Sequence, residues 1–311
     1  MGEAGQTRKQ RGWWAPYLYL APALLLFGTF IAYPVLRAFQ LSFTSFEFLR
    51  PERSEFVGLA NYAEILRDPR AVSSFLNTLY FTLLYLPLAV VLPLLVAMLI
   101  DRVRRGKMVF RTVNFIPVVV SVAVVSVIWM WLYNPNYGLL NSFLRRVADL
   151  TGSKWIAGLT SWNWLGQSST AMPALAAMCV WHQIGFNMLL YLVGLARIPK
   201  ELYEAARIDG AGPVSEFWHI TLPLLRPMIF LVFLLGLIGS LKVFGQMYIM
   251  TSGGPADATQ SYVLYLYKIA FRYGHARFGY ASALGYALAL VIFVVSLISF
   301  RFRRSGSGEA P

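Results

Sequence analysis

Charge is scarce in this sequence. Of its 311 residues 13% are Asp, Glu, Lys or Arg, against roughly 25% in an ordinary soluble domain. The hydrophobic share is 58% and the mean hydropathy +0.58, so water cannot be the only solvent of the folded surface. Cysteine is scarcer still. Cys179 stands alone, which excludes an intrachain disulfide and any multi-cysteine metal site. The three histidines, His182, His219 and His275, are scattered without ligand spacing, and no metal site is expected. Acidic residues number 14 and sit mainly in 47–72 and 201–216 without a paired motif, so no catalytic dyad or triad is expected. The chain has no G-x-x-x-x-G-K-[ST] run either, and is not expected to cradle a nucleotide or bind another cofactor.

Long apolar runs are what the sequence has in quantity. A helix crosses a hydrocarbon core of about 30 Å with some 20 residues. Six runs reach that length, at about 15–40, 75–100, 108–133, 171–195, 223–249 and 280–302. The expected fold class is all-α, a polytopic membrane protein of six transmembrane helices, with tails at 1–14 and 303–311 around a membrane domain at 15–302. The first run follows Arg8, Lys9 and Arg11 as a signal peptide would, but it is too long and ends in PVLRAF, so it reads as a retained span.

The formal charge of +13 does not gather into a nucleic-acid patch. Basic residues instead flank alternate span ends: Arg102, Arg104, Arg105 and Lys107 in DRVRRGK, then Arg197, Lys200 and Arg207, then Arg301, Arg303 and Arg304. The positive-inside rule places both termini and the 196–222 connector in the cytoplasm. On the other side lies a long segment, 134–170, rich in Trp, Asn, Ser and Gly and poor in charge. Breakers recur within the runs, among them Pro87, Pro93, Pro117, Pro173, Gly236, Gly239 and Gly245. They fit ordinary membrane-helix composition, and equally a bundle whose kinked helices rearrange.

One stretch interrupts the apolar pattern. ELYEAARIDGAGP, from Glu201 to Pro213, combines strong helix formers, acidic at the front, with Pro199 suited to the first helical turn and Gly210 and Gly212 behind as the stop. A helix of about ten residues, roughly 15 Å long, is expected. Leu202, Ala205, Ala206 and Asp209 fall at spacings of three and four, giving a narrow face that a partner's groove could approach closely.

EAARIDGAGPVSEFWHITLP resembles the EAA loop of permease subunits in bacterial ATP-binding-cassette importers. LAPALLLFGTFIAYPVLRAFQLSF at 20–43, FVGLANYAEIL at 56–66, FLNTLYFT at 75–82 and FGQMYIMTSGGP at 244–255 resemble the carbohydrate-type branch, which includes maltose and glycerol-phosphate importers. The resemblance implies the type I importer permease fold in a bacterial or archaeal cytoplasmic membrane. It implies as partners a second, usually different, permease subunit, two ATPase subunits that hold ATP and Mg, an extracytoplasmic solute-binding protein, and membrane lipid. It further implies that Glu204, Ala205, Ala206, Asp209 and Gly210 couple the chain to an ATPase, with Glu204 as polar contact and Gly210 permitting the exit turn.

By the same likeness, a sugar or polyol passes beside the fourth and fifth spans. Trp181, Gly185 and Met188 share a helical face there, as do Gly236, Gly239 and Ser240, although close packing explains either stripe as well. His182, Asn187 and Lys242 are the other polar candidates, because ionisable groups inside a span are costly and usually face a cavity. Lys242 also has the option of snorkelling to the interface, and a lysine leaves a phosphorylated cargo open. By this likeness neither the large insertion nor the extra amino-terminal spans of some relatives is expected here, and the partner permease is expected to share in holding the cargo. The rival readings are a secondary carrier, which would carry inverted repeats and buried acidic sites, and a membrane-embedded transferase, which would carry convergent carboxylates or histidines.

Overall fold

The computed structural model describes residues 15–103, 105–274 and 276–306; the expected tail at 1–14, the last residues of the expected tail at 303–311, Arg104 and His275 lie outside them. Among the described residues every regular element is helical, and the sole extended pairing is an isolated bridge between Thr44 and Phe56. Five helices are long and apolar enough to cross a bilayer, and a sixth crossing arises if one bent pair counts as a span.

In chain order the helices are α1 (Ala15–Phe27), joined by a π-helical turn to α2 (Tyr33–Leu41), then α3 (Ala60–Arg67), α4 (Pro69–Arg102), α5 (Lys107–Val119) and α6 (Val122–Leu132). There follow α7 (Leu139–Thr151), α8 (Lys154–Leu159), α9 (Ser168–Leu195), α10 (Lys200–Ile208), α11 (Pro213–Glu216), α12 (Leu222–Leu241), α13 (Gly245–Met250), α14 (Tyr262–Phe271) and α15 (Phe278–Gly306). Two expected spans take a different course. The third is not continuous: α5 and α6 meet at a bend of 100°, where Val120 turns extended and Ser121 caps α6 by accepting from the Ala123 N–H. Pro117 starts this break, since it has no N–H to give to the preceding turn. The fifth stops at Leu241 rather than near 249, and the chain resumes as the short α13.

The chain forms two compact units. The first, up to Glu64 and from Ile269 to Ala287, is held by backbone capture. The buried Asn61 amide donates to Ser42 O and Thr44 O at 2.8 and 2.9 Å, and Arg277 grips Glu64 with two bonds of 2.7 and 2.8 Å while stacking on Tyr280. The side-chain bonds to Glu64 hold the Arg277 guanidinium above its ordinary pKa, against partial burial.

The second unit, from Ile65 to Lys268 and from Leu288 onward, packs α4 against α9 and α12, with α5 along α9. Lipid is as apolar as leucine, so these contacts come from close packing and interhelical hydrogen bonds rather than from water exclusion. Small residues do the spacing: Ala71, Ala89, Ala97, Ala171, Ala174 and Ala176 are all buried. At one end of α4 the polar residues of the FLNTLYFT region hold the segment that follows TSGGP. Asn77 donates to Asp257 O and Gln260 O, Ser74 accepts from the Gln260 amide, and Thr78 accepts from the Tyr262 N–H.

Asn61→Ala leaves two shielded carbonyls without their donor. It is expected to lower stability by about 1–3 kcal/mol, read as a fall in thermal midpoint of the nanodisc-reconstituted protein, whereas Asn61→Asp also loses the donors and offers no rescue.

Candidate functional site

Two places gather the residues singled out from the sequence. The first is the connector between α9 and α12. Pro199 sits immediately before α10, one position ahead of the first-turn placement expected, and leaves the helix free to start at Lys200. The helix ends in a Schellman turn: Gly210 N–H donates to Arg207 O at 3.1 Å and Ala211 N–H to Ala206 O at 2.8 Å. Gly210 has φ +82°, a backbone state that strains any residue with a Cβ. Asp209 closes the helix, and Gly212 leads into Pro213 and α11.

A nine-residue helix is marginal by itself, and tertiary bonds hold this one. Arg207 Nε donates to Glu216 at 2.7 Å and its second nitrogen at 3.4 Å; the Glu216 side chain is only 10% exposed although that of Arg207 is 66% exposed. The Arg207 hydrogen bond, with Arg102 nearby, holds the Glu216 carboxyl below the usual carboxylate range against its desolvation, and the same bond raises the guanidinium. Tyr203 and Thr221 share a hydroxyl–hydroxyl bond of 2.9 Å. These contacts tie α10 to the foot of α12 through the π-helical turn Phe217–Thr221. A cleft of about 610 Å³ opens beside them, lined by Asp101, Arg102, Tyr203, Arg207, Glu216 and Thr221 among others.

With Tyr203 and Arg207 turned toward that cleft, Leu202, Ala205, Ile208 and Asp209 face outward, and Ile208 is 86% exposed. Val214 and Trp218, later in the same connector, are exposed apolar side chains as well. Ala206 leaves the face expected for it: it is half-buried next to Tyr203, and its carbonyl serves the Schellman turn. Glu204 is exposed on the flank. The Arg207–Glu216 pair escaped sequence reading because its partners lie nine residues apart across a glycine turn, with no helical spacing to betray them.

The second place is inside the bundle, where the expected residues separate. His182, Gly239 and Ser240 come together around a cavity of about 170 Å³, with Tyr85, Gln183 and Gln246. Gly239 has nothing within 4 Å of a Cβ position, so its surface is open. Ser240 returns its hydroxyl proton to Leu237 O at 2.9 Å, and His182 Nε2 lies 3.3 Å from Val120 O at the break between α5 and α6. As donor there, the ring nitrogen supplies the broken backbone with a partner. Gln183 and Gln246 were overlooked, though a polar side chain within an apolar run was the available signal.

The other candidates pack instead. A Cβ on Gly185 would stand 2.0 Å from Asn114 O, so this glycine lets α9 touch the backbone of α5; one on Gly236 would meet Leu86 at 3.0 Å. Met188 is fully buried among Leu94, Ala97 and Tyr191. Trp181, edge-on to Trp129 at 5.4 Å between centroids, stays exposed on the same helix whose Met188 is buried. Asn187 holds backbone: its amide donates at 2.9 Å to Ala89 O, the carbonyl left without its helical donor by Pro93 four residues on. Lys242 lies exposed just beyond the end of α12, outside the cavity.

Comparison with known proteins adds the decisive observation. Residues 57–305 match the family described as binding-protein-dependent transport system inner membrane component. The chain belongs to this family of ABC transporter permeases. Among its relatives is AraP of Bacillus subtilis strain 168, an arabinooligosaccharides transport system permease protein, 34% identical over 97% of this chain and 95% of AraP. UgpA of Yersinia enterocolitica, an sn-glycerol-3-phosphate transport system permease protein, is 34% identical over 93% of each chain. The fold is similar to that in a crystal structure of a bacterial ABC transporter involved in import of the acidic polysaccharide alginate, with TM-score 0.80, 24% identity, and coverage of 94% of this chain and 96% of that one. As a permease of this family the chain is a multi-pass transport subunit with no ATPase motif of its own, and the carrier and transferase readings fall away.

Gly185→Ala is expected to push α5 off α9 and cost about 1–3 kcal/mol, while Gly239→Ala is tolerated; monodisperse yield and thermal midpoint in nanodiscs separate the two. For Glu216 the lowered carboxyl pKa means its contribution is present above the unfolded value, about 4.3, and is lost as pH falls through the folded one. Hydrogen exchange across 200–221, corrected for intrinsic rate, should stay constant from about pH 8 to 5 and rise below about 4. In Glu216→Gln that acid-dependent step disappears.

Proposed function

We propose that this chain is one of two different permease subunits in an importer that carries a sugar, oligosaccharide or polyol inward across the bacterial or archaeal cytoplasmic membrane. An extracytoplasmic binding protein delivers the cargo, and two partner ATPases hold ATP and Mg; the chain itself binds no cofactor and no nucleic acid. Both termini and the 101–107 and 196–222 connectors face the cytoplasm, since Arg102, Arg105, Lys107, Arg197, Lys200 and Arg301 stand at those span ends.

The observation that carries this reading is the projecting α10. Its outward Leu202, Ala205 and Ile208, with Glu204 and Asp209 beside them, fit an apolar groove with a polar rim on a partner, and its inward side is bonded to the root of α12. Force applied to α10 therefore reaches α12 through the Arg207–Glu216 and Tyr203–Thr221 contacts rather than through a slack loop. The bundle has two arrangements, and ligand shifts their balance only through contacts that differ between them. The bend after Val119, with the His182 contact at Val120, is the place where such arrangements can differ.

The cavity at His182 and Ser240 is small for a complete cargo site. Ligand sites usually measure about 300–1,000 Å³, and 170 Å³ is below that range. The path is then completed by the second permease, with Ser240, Gln183 and Gln246 offering hydroxyl and amide partners to a polyhydroxylated cargo. Trp181 and Lys242 lie away from this cavity and have no place in the proposed path. Arabinooligosaccharides, a glycerol phosphate and alginate in the names of similar transporters support the carbohydrate or polyol class.

Two experiments test this. Glu204→Lys and Gly210→Pro in the co-expressed transporter should reduce cargo-stimulated ATP hydrolysis and uptake by about tenfold or more, with ATPase subunits lost on purification; full activity in both would refute the coupling role. Ser240→Leu should cut uptake while the ATPase subunits still co-purify, and unchanged uptake would move the path elsewhere.

A further inference from the structure

We propose that α7 and α8 form an interfacial anchor that lies in the headgroup layer of the bilayer and binds anionic lipid. The hairpin has an inner side that is fully accounted for. Asn141, wholly buried, accepts from Trp164 Nε1 at 2.6 Å and donates to Trp162 O at 3.2 Å, with Ala148 buried one helical face along. The outer side has no counterpart among the described residues. Leu139, Phe143, Arg146 and Leu150 recur at steps of four, three and four, which sets them on a single stripe, and all are exposed, Leu150 at 87%. Trp155 on α8 is 75% exposed.

The depth of this stripe follows from what pins the hairpin. Tyr133, the residue after α6, stacks on Trp164 and donates its hydroxyl proton to Ala174 O at 2.8 Å. Thr170, in the first turn of α9, donates to Trp164 O at 2.9 Å. The hairpin is thus fixed where one apolar helix ends and another begins, at the level where hydrocarbon gives way to headgroups. On α6 itself Val124, Val127, Ile128 and Trp131 are likewise exposed apolar side chains.

Composition decides between lipid and a protein partner. Arg145, Arg146 and Lys154 outweigh Asp149 in this hairpin, three basic groups against one acidic, and stand beside Trp155 and Phe143. Leucine and aromatic side chains on one face with arginine and lysine at its margin are the pattern of helices that lie in a membrane surface and attract anionic lipid. The inference rests on α6 and α9 being membrane helices and not on which side of the membrane they face.

The test uses the complete transporter in nanodiscs of phosphatidylcholine and phosphatidylglycerol, in a Cys179→Ala background, with spin labels at Phe143→Cys, Leu150→Cys and Asp149→Cys. Labels at 143 and 150 should collide with oxygen and be shielded from a water-soluble nickel complex, at a depth of about 5–10 Å, while the label at 149 meets nickel. Equal nickel access at all three overturns the proposal, and so does shielding that arises only when an extracytoplasmic binding protein is added. If the cysteine-free protein fails to assemble, brominated lipid answers in the native protein: Trp155→Phe should lower the quenched fraction of fluorescence, and an unchanged fraction overturns it. Replacing Arg145, Arg146 and Lys154 together by Gln should abolish preferential co-purification of phosphatidylglycerol, and retained preference contradicts the anionic-lipid assignment.

Discussion

The ion pair between Arg207 and Glu216 is the constraint on which the working geometry depends. It joins a nine-residue helix, too short to persist alone, to the turn that begins the long apolar α12. An exposed pair would contribute little. Here the carboxylate is shielded while the guanidinium remains in water, so the acid is held in one place and the base is anchored to it. The Schellman turn at Gly210 closes the same end of the helix, and the Tyr203–Thr221 bond holds it one turn earlier. Together they make the segment a rigid projection whose outward face is free for a partner.

Inside the bundle the physics changes, because no water is expelled when two membrane helices meet. What holds α4, α5, α9 and α12 together is the absence of side chain at Gly185, the run of buried alanines, and a few hydrogen bonds to carbonyls that the helices cannot satisfy themselves. Pro93 frees the carbonyl of Ala89, and Asn187 takes it up. The broken turn after Val119 exposes the carbonyl of Val120, and His182 stands beside it. Bonds of this kind across membrane helices average about 0.6 kcal/mol and seldom exceed about 1.7. They can hold a bent span in place and still release it during a transport cycle.

Much of this was legible beforehand, for reasons of physics. Apolar run length is a strong signal, so the spans at 171–195 and 280–302 fell within the helices α9 and α15. Glycine after a helix-forming run is equally direct, and the end of α10 at Asp209 and Gly210 matched. Pro117 stood among the breakers inside 108–133, but that it would split the span rather than merely kink it was not legible, because a bend leaves hydropathy unchanged. The early end of α12 was hidden likewise, since Phe244, Met247, Tyr248, Ile249 and Met250 carry the apolar run on past Lys242 and Gly245. Residues inside the bundle were the least readable: small or polar side chains at helical spacing look alike whether they line a cavity, as Gly239 and Ser240 do, or pack and bond to backbone, as Gly185 and Asn187 do.

The central claim is that the outward face of α10 is where a nucleotide-driven motor grips this permease. Disulfide trapping tests it most directly: Ile208→Cys, and separately Val109→Cys at the start of α5 as a comparison, in the assembled transporter with single cysteines placed along the candidate groove of the ATPase. The account predicts an efficient cross-link from position 208, with stoichiometric loss of ATP-driven uptake that reductant restores, and none from position 109. Cross-linking from 109 with none from 208 would contradict it.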